Sequence, residues 1–122
     1  MGYRSDVALV LRNEEWERFE GLVKSEPDDE NRAELLDYIK AAEITQGEKY
    51  TVAVWDYVKW YANAMVEFVE RFTSNTPHII HRLGEDNNDY EYKESVGDDW
   101  EMHDCVSLVR HLEININPLK AE

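Results

Sequence analysis

Between Glu85 and Asp104 the chain places nine carboxylates and a single base, Lys93. The acids are Glu85, Asp86, Asp89, Glu91, Glu94, Asp98, Asp99, Glu101 and Asp104. If Asp89–Val96 is a strand, Asp89 and Glu91 point to the same side, about 6.8 Å apart. That spacing and sign match successive phosphates of a nucleic-acid strand. Such a row would compete for a cationic groove that normally tracks a phosphate backbone. Desolvating many carboxylates is costly, so only those that meet a cationic partner would contribute. The candidate contacts are Glu85, Asp86, Asp89, Glu91, Glu94, Asp98 and Asp99. The plainer reading of the same residues is a solubilising coat.

Other chemistry is less well supported. Asp86-Asn87-Asn88-Asp89-Tyr90-Glu91 is rich in oxygen ligands. Counted from Asp86, however, it has neither the glycine at position 6 nor the glutamate at position 12 of a calcium-binding helix–loop–helix. His78 and His81 would face opposite sides of a strand, whereas His103 and Cys105 would share one. No Cys-x-x-Cys or His-x-x-x-His spacing supports zinc. Cys105 has His103 and His111 nearby in sequence, but a lone cysteine among Val and Leu usually serves as a small buried hydrophobe. No phosphate-cradling glycine loop or nucleophile elbow is present. The expectation is a protein that is not an enzyme and uses no metal or cofactor. Trp55, Tyr57, Trp60 and Tyr61 surround Asp56 and Lys59. Trp60 is the candidate hot spot of this patch, because Trp and Tyr anchor interfaces. Packing at a strand-to-helix junction is the competing explanation.

The whole chain follows the same sign. Its 122 residues carry 27 Asp and Glu against 13 Lys and Arg, a formal net charge of −14. A direct nucleic-acid binder gripping phosphates is therefore excluded, and an anionic membrane surface is disfavoured. Hydrophobic residues still make up 43% of the chain, enough to build a core. One cysteine excludes an internal disulfide framework and fits a reducing compartment. No run approaches the ~20 apolar residues of a membrane span, and the opening residues do not read as a signal peptide.

These side chains need elements to hold them. The chain reads as one α+β domain over residues 1–122. Tyr3–Leu11 is a strand, apolar at both parities from Val7 to Leu11. Asn13 caps a helix whose stripe is Trp16, Phe19, Leu22 and Val23. Pro27-Asp28-Asp29 ends it and starts a second, short helix with Leu35, Leu36 and Ile39. A brief strand near Ala42–Thr45 pairs across Gln46-Gly47 with Tyr50–Val58, which is dense in β-branched and aromatic residues. A helix over 61–73 buries Met65, Phe68, Val69 and Phe72. His78–Leu83 and Asp89–Val96 form a hairpin around the turn at 84–88. Gly97-Asp98-Asp99 is a loop, and Cys105–Ile116 reads as a last strand. The expected fold is a mainly antiparallel sheet of four to six strands, with two or three helices packed on one face. Apolar residues at both parities require a cover for the second face. The C-terminal segment and a homodimer are the two ways to supply it, with the dimer slightly favoured.

Gly2-Tyr3-Arg4-Ser5-Asp6-Val7, Trp55-Asp56-Tyr57-Val58-Lys59-Trp60-Tyr61 and Arg82-Leu83-Gly84-Glu85-Asp86 together resemble stretches of a loose group of small acidic proteins carried by bacteriophages and prophages. The resemblance runs from residue 2 to about residue 97. It implies an N-terminal strand, a tryptophan-rich strand-to-helix junction and an acidic hairpin, and it brings no catalytic residues. By context it implies an inhibitor of host defence, of the anti-CRISPR or anti-restriction kind. Such a protein would work in the bacterial cytoplasm, and its partner would be a cationic defence nuclease or CRISPR effector complex. The alternative implied by charge and pattern is a homo-oligomeric assembly module without nucleic-acid mimicry.

Overall fold

The computed structural model describes residues 3–61, 63–86, 88–108 and 112–114. Five strands build one antiparallel sheet: β1 (Ser5–Arg12), β2 (Glu43–Gln46), β3 (Tyr50–Val58), β4 (His78–Gly84) and β5 (Tyr90–Ser95). Their order is β2-β3-β1-β4-β5, which puts the most apolar strand at the centre. Val7 to Leu11 are at most 1% exposed, so the sheet is covered on both faces, as the run without alternation requires. Val7, Leu9 and Leu11 belong to one core; Ala8 and Val10 belong to the other.

Three helices, α1 (Asn13–Lys24), α2 (Asp29–Ala41) and α3 (Ala64–Thr73), pack on the first face. Trp16, Phe19 and Val23 of α1 meet Met65, Phe68, Val69 and Phe72 of α3 over Ala53, Trp55 and Ile80 of the sheet. Phe19 sits edge-on to both Phe68 and Phe72, with centroids 5.2 and 5.1 Å away. The helix ends follow local chemistry. Asp28 caps α2 by accepting from the amides of Glu30 (2.9 Å) and Asn31 (3.1 Å). Asn63 caps α3 by accepting from the Val66 amide (2.9 Å), so this helix begins at Ala64 rather than 61. Asn13 does not act as a cap: it is the first residue of α1. Its side chain donates to the carbonyls of Gly47 and Glu48 and accepts from Thr51, tying the helix start to the β2–β3 turn.

The second face is closed by the chain itself. After β5, Val96 turns inward and residues Trp100–Cys105 form a short 3-10 helix, followed by two short paired strands, β6 (Val106–Leu108) and β7 (Leu112–Ile114). Val96, Met102, Cys105 and Val106 pack on Ala8, Val10, Tyr50, Val52 and Ile79. The single strand expected over Cys105–Ile116 is thus replaced by two short strands paired in their own sheet, and its cysteine ends the preceding helix. Val109, His111 and residues 115–116 lie outside the described residues. Of the two ways to cover this face, the C-terminal segment supplies one, over Ala8, Val10, Tyr50, Val52 and Ile79.

Candidate functional site

The acidic hairpin is organised around one arginine. Arg82, on β4, points to the helix-bearing side of the sheet, where Glu91 of β5 is its cross-strand partner. Its Nε donates to Glu91 (2.8 Å), and its two terminal nitrogens donate to both oxygens of Asp89 (2.7 and 3.2 Å). One of those nitrogens also donates to Ser5 Oγ at 3.0 Å. Tyr3 donates its phenolic proton to Asp89 (2.6 Å) and accepts from the Asp86 amide (3.0 Å). The Arg82 guanidinium, and then the Tyr3 hydroxyl, hold the Asp89 carboxyl below its ordinary range. Gly84 makes this approach possible: a Cβ there would collide with the Asp89 carboxylate and the Tyr3 hydroxyl. Asp89 and Glu91 therefore do lie on one side, but they face an internal cation rather than solvent alone.

The other candidates separate by position. Glu94, two pleats from Tyr90, faces the C-terminal layer, accepts from Tyr92 (2.7 Å) and pairs with His103. These two bonds hold its carboxyl below the ordinary range, and Glu94 in turn raises His103. His103 Nδ1 also lies 3.2 Å from the Trp100 carbonyl. Both neighbours are acceptors, so the contacts favour the doubly protonated ring. Asp99 accepts from Arg12 Nε (2.8 Å) and from the Tyr50 hydroxyl at the far end of β1. Glu101 pairs with Lys49 at 2.7 Å. Three candidates remain without a cation among the described residues. Glu85 accepts only from the Arg4 amide (3.1 Å), Asp86 only from the Asn88 amide (3.3 Å), and Asp98 is exposed with no hydrogen bond. Glu85 and Asp86 lie at one end of β1 and Asp98 at the other, about 23 Å apart along a strand of this length.

Trp60 belongs to the core. Its ring is half-buried, 5.2 Å from Trp55 and 6.2 Å from Tyr38. Trp55 is fully buried and donates its indole proton to the Tyr38 carbonyl (2.7 Å). Tyr57 and Tyr61 are the exposed aromatics of this patch; of these, Tyr57 has φ 56 at an irregularity in the β1–β3 pairing. The Tyr57 amide donates to Asp6 (2.9 Å), and Arg4 lies over its ring. That contact offsets a backbone conformation few side chains adopt.

The remaining reactive groups are occupied or enclosed. His78 donates to the Thr76 carbonyl (2.8 Å), His81 meets the Tyr90 hydroxyl (2.6 Å), and burial lowers both rings' pKa. Cys105 is buried and its thiol is pushed up to about 12, chiefly by burial, so it stays protonated at neutral pH. His103 and Cys105 do not share a strand face: on the 3-10 helix His103 turns out to Glu94 while Cys105 turns into the core. Among the described residues no group of three His, Cys, Asp or Glu is arranged to hold a metal. No helix among them is long and apolar enough to cross a membrane. Sequence reasoning missed Tyr3, Arg12, Tyr50 and Arg82, the residues that absorb the acid. Only Arg82 left a signal, as a base directly preceding the acidic turn. No family model, curated protein or solved structure matches the chain.

Proposed function

We propose that this chain is a non-enzymatic binding protein that occupies a cationic, nucleic-acid-binding surface of a partner. In the phage-type reading, the partner is a host defence complex of the CRISPR-effector or restriction class in the bacterial cytoplasm. The observation that carries the proposal is the unneutralised tip of the hairpin. In a chain of net charge −14, Glu85 and Asp86 form no ion pair among the described residues, while Asp89 and Glu91 behind them are already paired with Arg82. Free carboxylates meet a Lys- or Arg-rich groove without first breaking an internal pair, and their field steers the encounter. Asp89, Glu91, Glu94 and Asp99 support that surface by shaping it; Glu85, Asp86 and Asp98 would make the contacts. The alternative, a homo-oligomeric assembly module, has less support, because Val96, Met102, Cys105 and Val106 already pack on Ala8, Val10, Val52 and Ile79 of that sheet face.

The test measures target-DNA binding by a panel of purified CRISPR effector complexes and restriction nucleases, with and without the protein. At least one effector is expected to lose DNA binding. Reversing Glu85, Asp86 and Asp98 to Lys should restore it by about tenfold or more. Reversing Glu14, Glu17 and Glu30, with the same change in net charge, should do much less. Inhibition of no effector, or equal inhibition by both triple variants, overturns the proposal. Asp89 is left intact because its reversal would disrupt the Tyr3 and Arg82 contacts.

A further inference from the structure

We infer that the cleft between α1 and α3 binds a small organic anion, a monocarboxylate carrying an apolar body. The cleft holds about 380 Å³, within the range of small-molecule sites. Its apolar wall is Phe68, Phe72 and Leu22, and Leu22 is 43% exposed although it lies on the helix stripe. Two cations flank this wall in a protein otherwise dominated by acid. Arg18 is fixed in place: Nε donates to Glu15 (2.9 Å), one terminal nitrogen donates to Thr76 Oγ1 (2.7 Å), and the guanidinium lies 4.4 Å from the Phe72 ring centroid. That leaves its second terminal nitrogen without a hydrogen-bond acceptor among the described residues. Arg71 lies over Phe68 at 5.8 Å and makes no ion pair among the described residues. Glu26 is the one acid lining the cleft, and its carboxylate accepts from the Asp28 amide (3.4 Å).

Charge complementarity selects the occupant. A cation would meet two arginines, and a neutral hydrocarbon would leave both guanidinium groups unused. A carboxylate would bridge them while its apolar body covers Leu22 and the two phenylalanine rings. The preorganised Arg18 lowers the entropy lost on binding.

The probe is 4-phenylbutyrate, followed by amide chemical-shift perturbation. Saturable shifts are expected at Leu22, Phe68, Phe72 and Thr76. The neutral analogue 4-phenylbutyramide should bind about tenfold more weakly or worse, and Arg71→Gln should weaken the acid by a similar factor. Arg4→Gln, in a separate pocket with Tyr38 and Lys59, should leave it unchanged. The inference is overturned if no shift saturates, if the amide binds as well as the acid, or if Arg71→Gln has no effect. It is also overturned if a short peptide ending in a free Phe carboxylate binds tenfold more tightly than phenylbutyrate, since the cleft would then be a peptide site. Arg71 is exposed at the helix surface, so its substitution leaves the fold available for the measurement.

Discussion

The two ends of β1 are fastened by the same three residue types used in different ways. At one end Arg82, Asp89 and Tyr3 converge; at the other Arg12, Asp99 and Tyr50 converge. Arg82 and Asp89 are seven residues apart and belong to one hairpin. Arg12 and Asp99 are 87 residues apart and join the central strand to the segment that covers the second sheet face. In the first knot the Arg82–Asp89 pair is local and partly open to solvent, and Tyr3 joins it from the N-terminal segment. The second closes over Tyr50, which is 1% exposed. One chemistry therefore shapes a surface at one end and holds a layer in place at the other.

The comparison breaks most visibly at Asp99. Asp99→Ala leaves the buried Tyr50 hydroxyl without its acceptor, a loss of about 1–3 kcal/mol in chemical denaturation. Hydrogen exchange should quicken across residues 96–106 and remain slow in α1. Asp89→Ala should cost less, because Arg82 keeps Glu91 and Ser5, and its faster exchange should be confined to 84–91 and the Tyr3–Ser5 segment that Asp89 holds. Equal effects of the two substitutions, or loss of protection spread over the whole sheet by Asp89→Ala, would contradict the distinction between a local and a long-range fastening.

Cys105 reports on the same cap. Its thiol, pushed up to about 12 by burial, should resist iodoacetamide at pH 8 in the native protein and react after unfolding. In Asp99→Ala the labelling rate should rise toward the unfolded rate before the helices melt. Rapid labelling of the wild type would mean that the cap is not closed over Ala8 and Val10.

The smallest expected effect is a pH dependence. Glu94 raises His103 above its ordinary 6.5, and Tyr92 followed by His103 lowers Glu94 below its ordinary 4.5. The His103 contribution is complete below 6.5 and fades as pH rises through its raised pKa. The Glu94 contribution is complete above 4.5 and fades as pH falls through its lowered pKa. The pair thus contributes most between these two limits. His78 and His81 act in the opposite sense: burial lowers both, so stability falls as pH drops below 6.5 and the unfolded chain takes up protons more readily. A proton-NMR titration should give His103 a midpoint above 6.5 that moves down in Glu94→Gln. His81 should titrate below 6.5 in both proteins. A His103 midpoint at or below 6.5 would remove the pair from the link between β5 and the cap.

Much of the sheet was legible because its signals are local. The unbroken apolar run Val7–Leu11 demanded two covered faces, and Tyr50–Val58 carried its strand propensity in its own composition. The helical stripes of Trp16–Val23 and Met65–Phe72 named the core residues of the first face, except Leu22, which is exposed. The second face was harder. Residues 100–105 become a 3-10 helix as Met102 and Cys105 pack on residues of β1, β3 and β4 much earlier in the chain, and no period in six residues announces that.

The candidate site shows the same division. Charge and its concentration between Glu85 and Asp104 follow from composition, because a formal charge needs no fold to exist. Which carboxylates remain free is a matter of three-dimensional distance. Arg82 reaches Asp89 and Glu91 through strand register; Arg12 reaches Asp99 across the sheet; Trp60, a surface anchor by residue type, turns inward against Trp55. The sequence by itself determined the α+β alternation, the two helix stripes and the sign of the surface, each set by neighbours within a turn or a pleat. Only the tertiary structure decided which acids are neutralised and what closes the second face, since both depend on pairs brought within 3 Å from opposite ends of the chain.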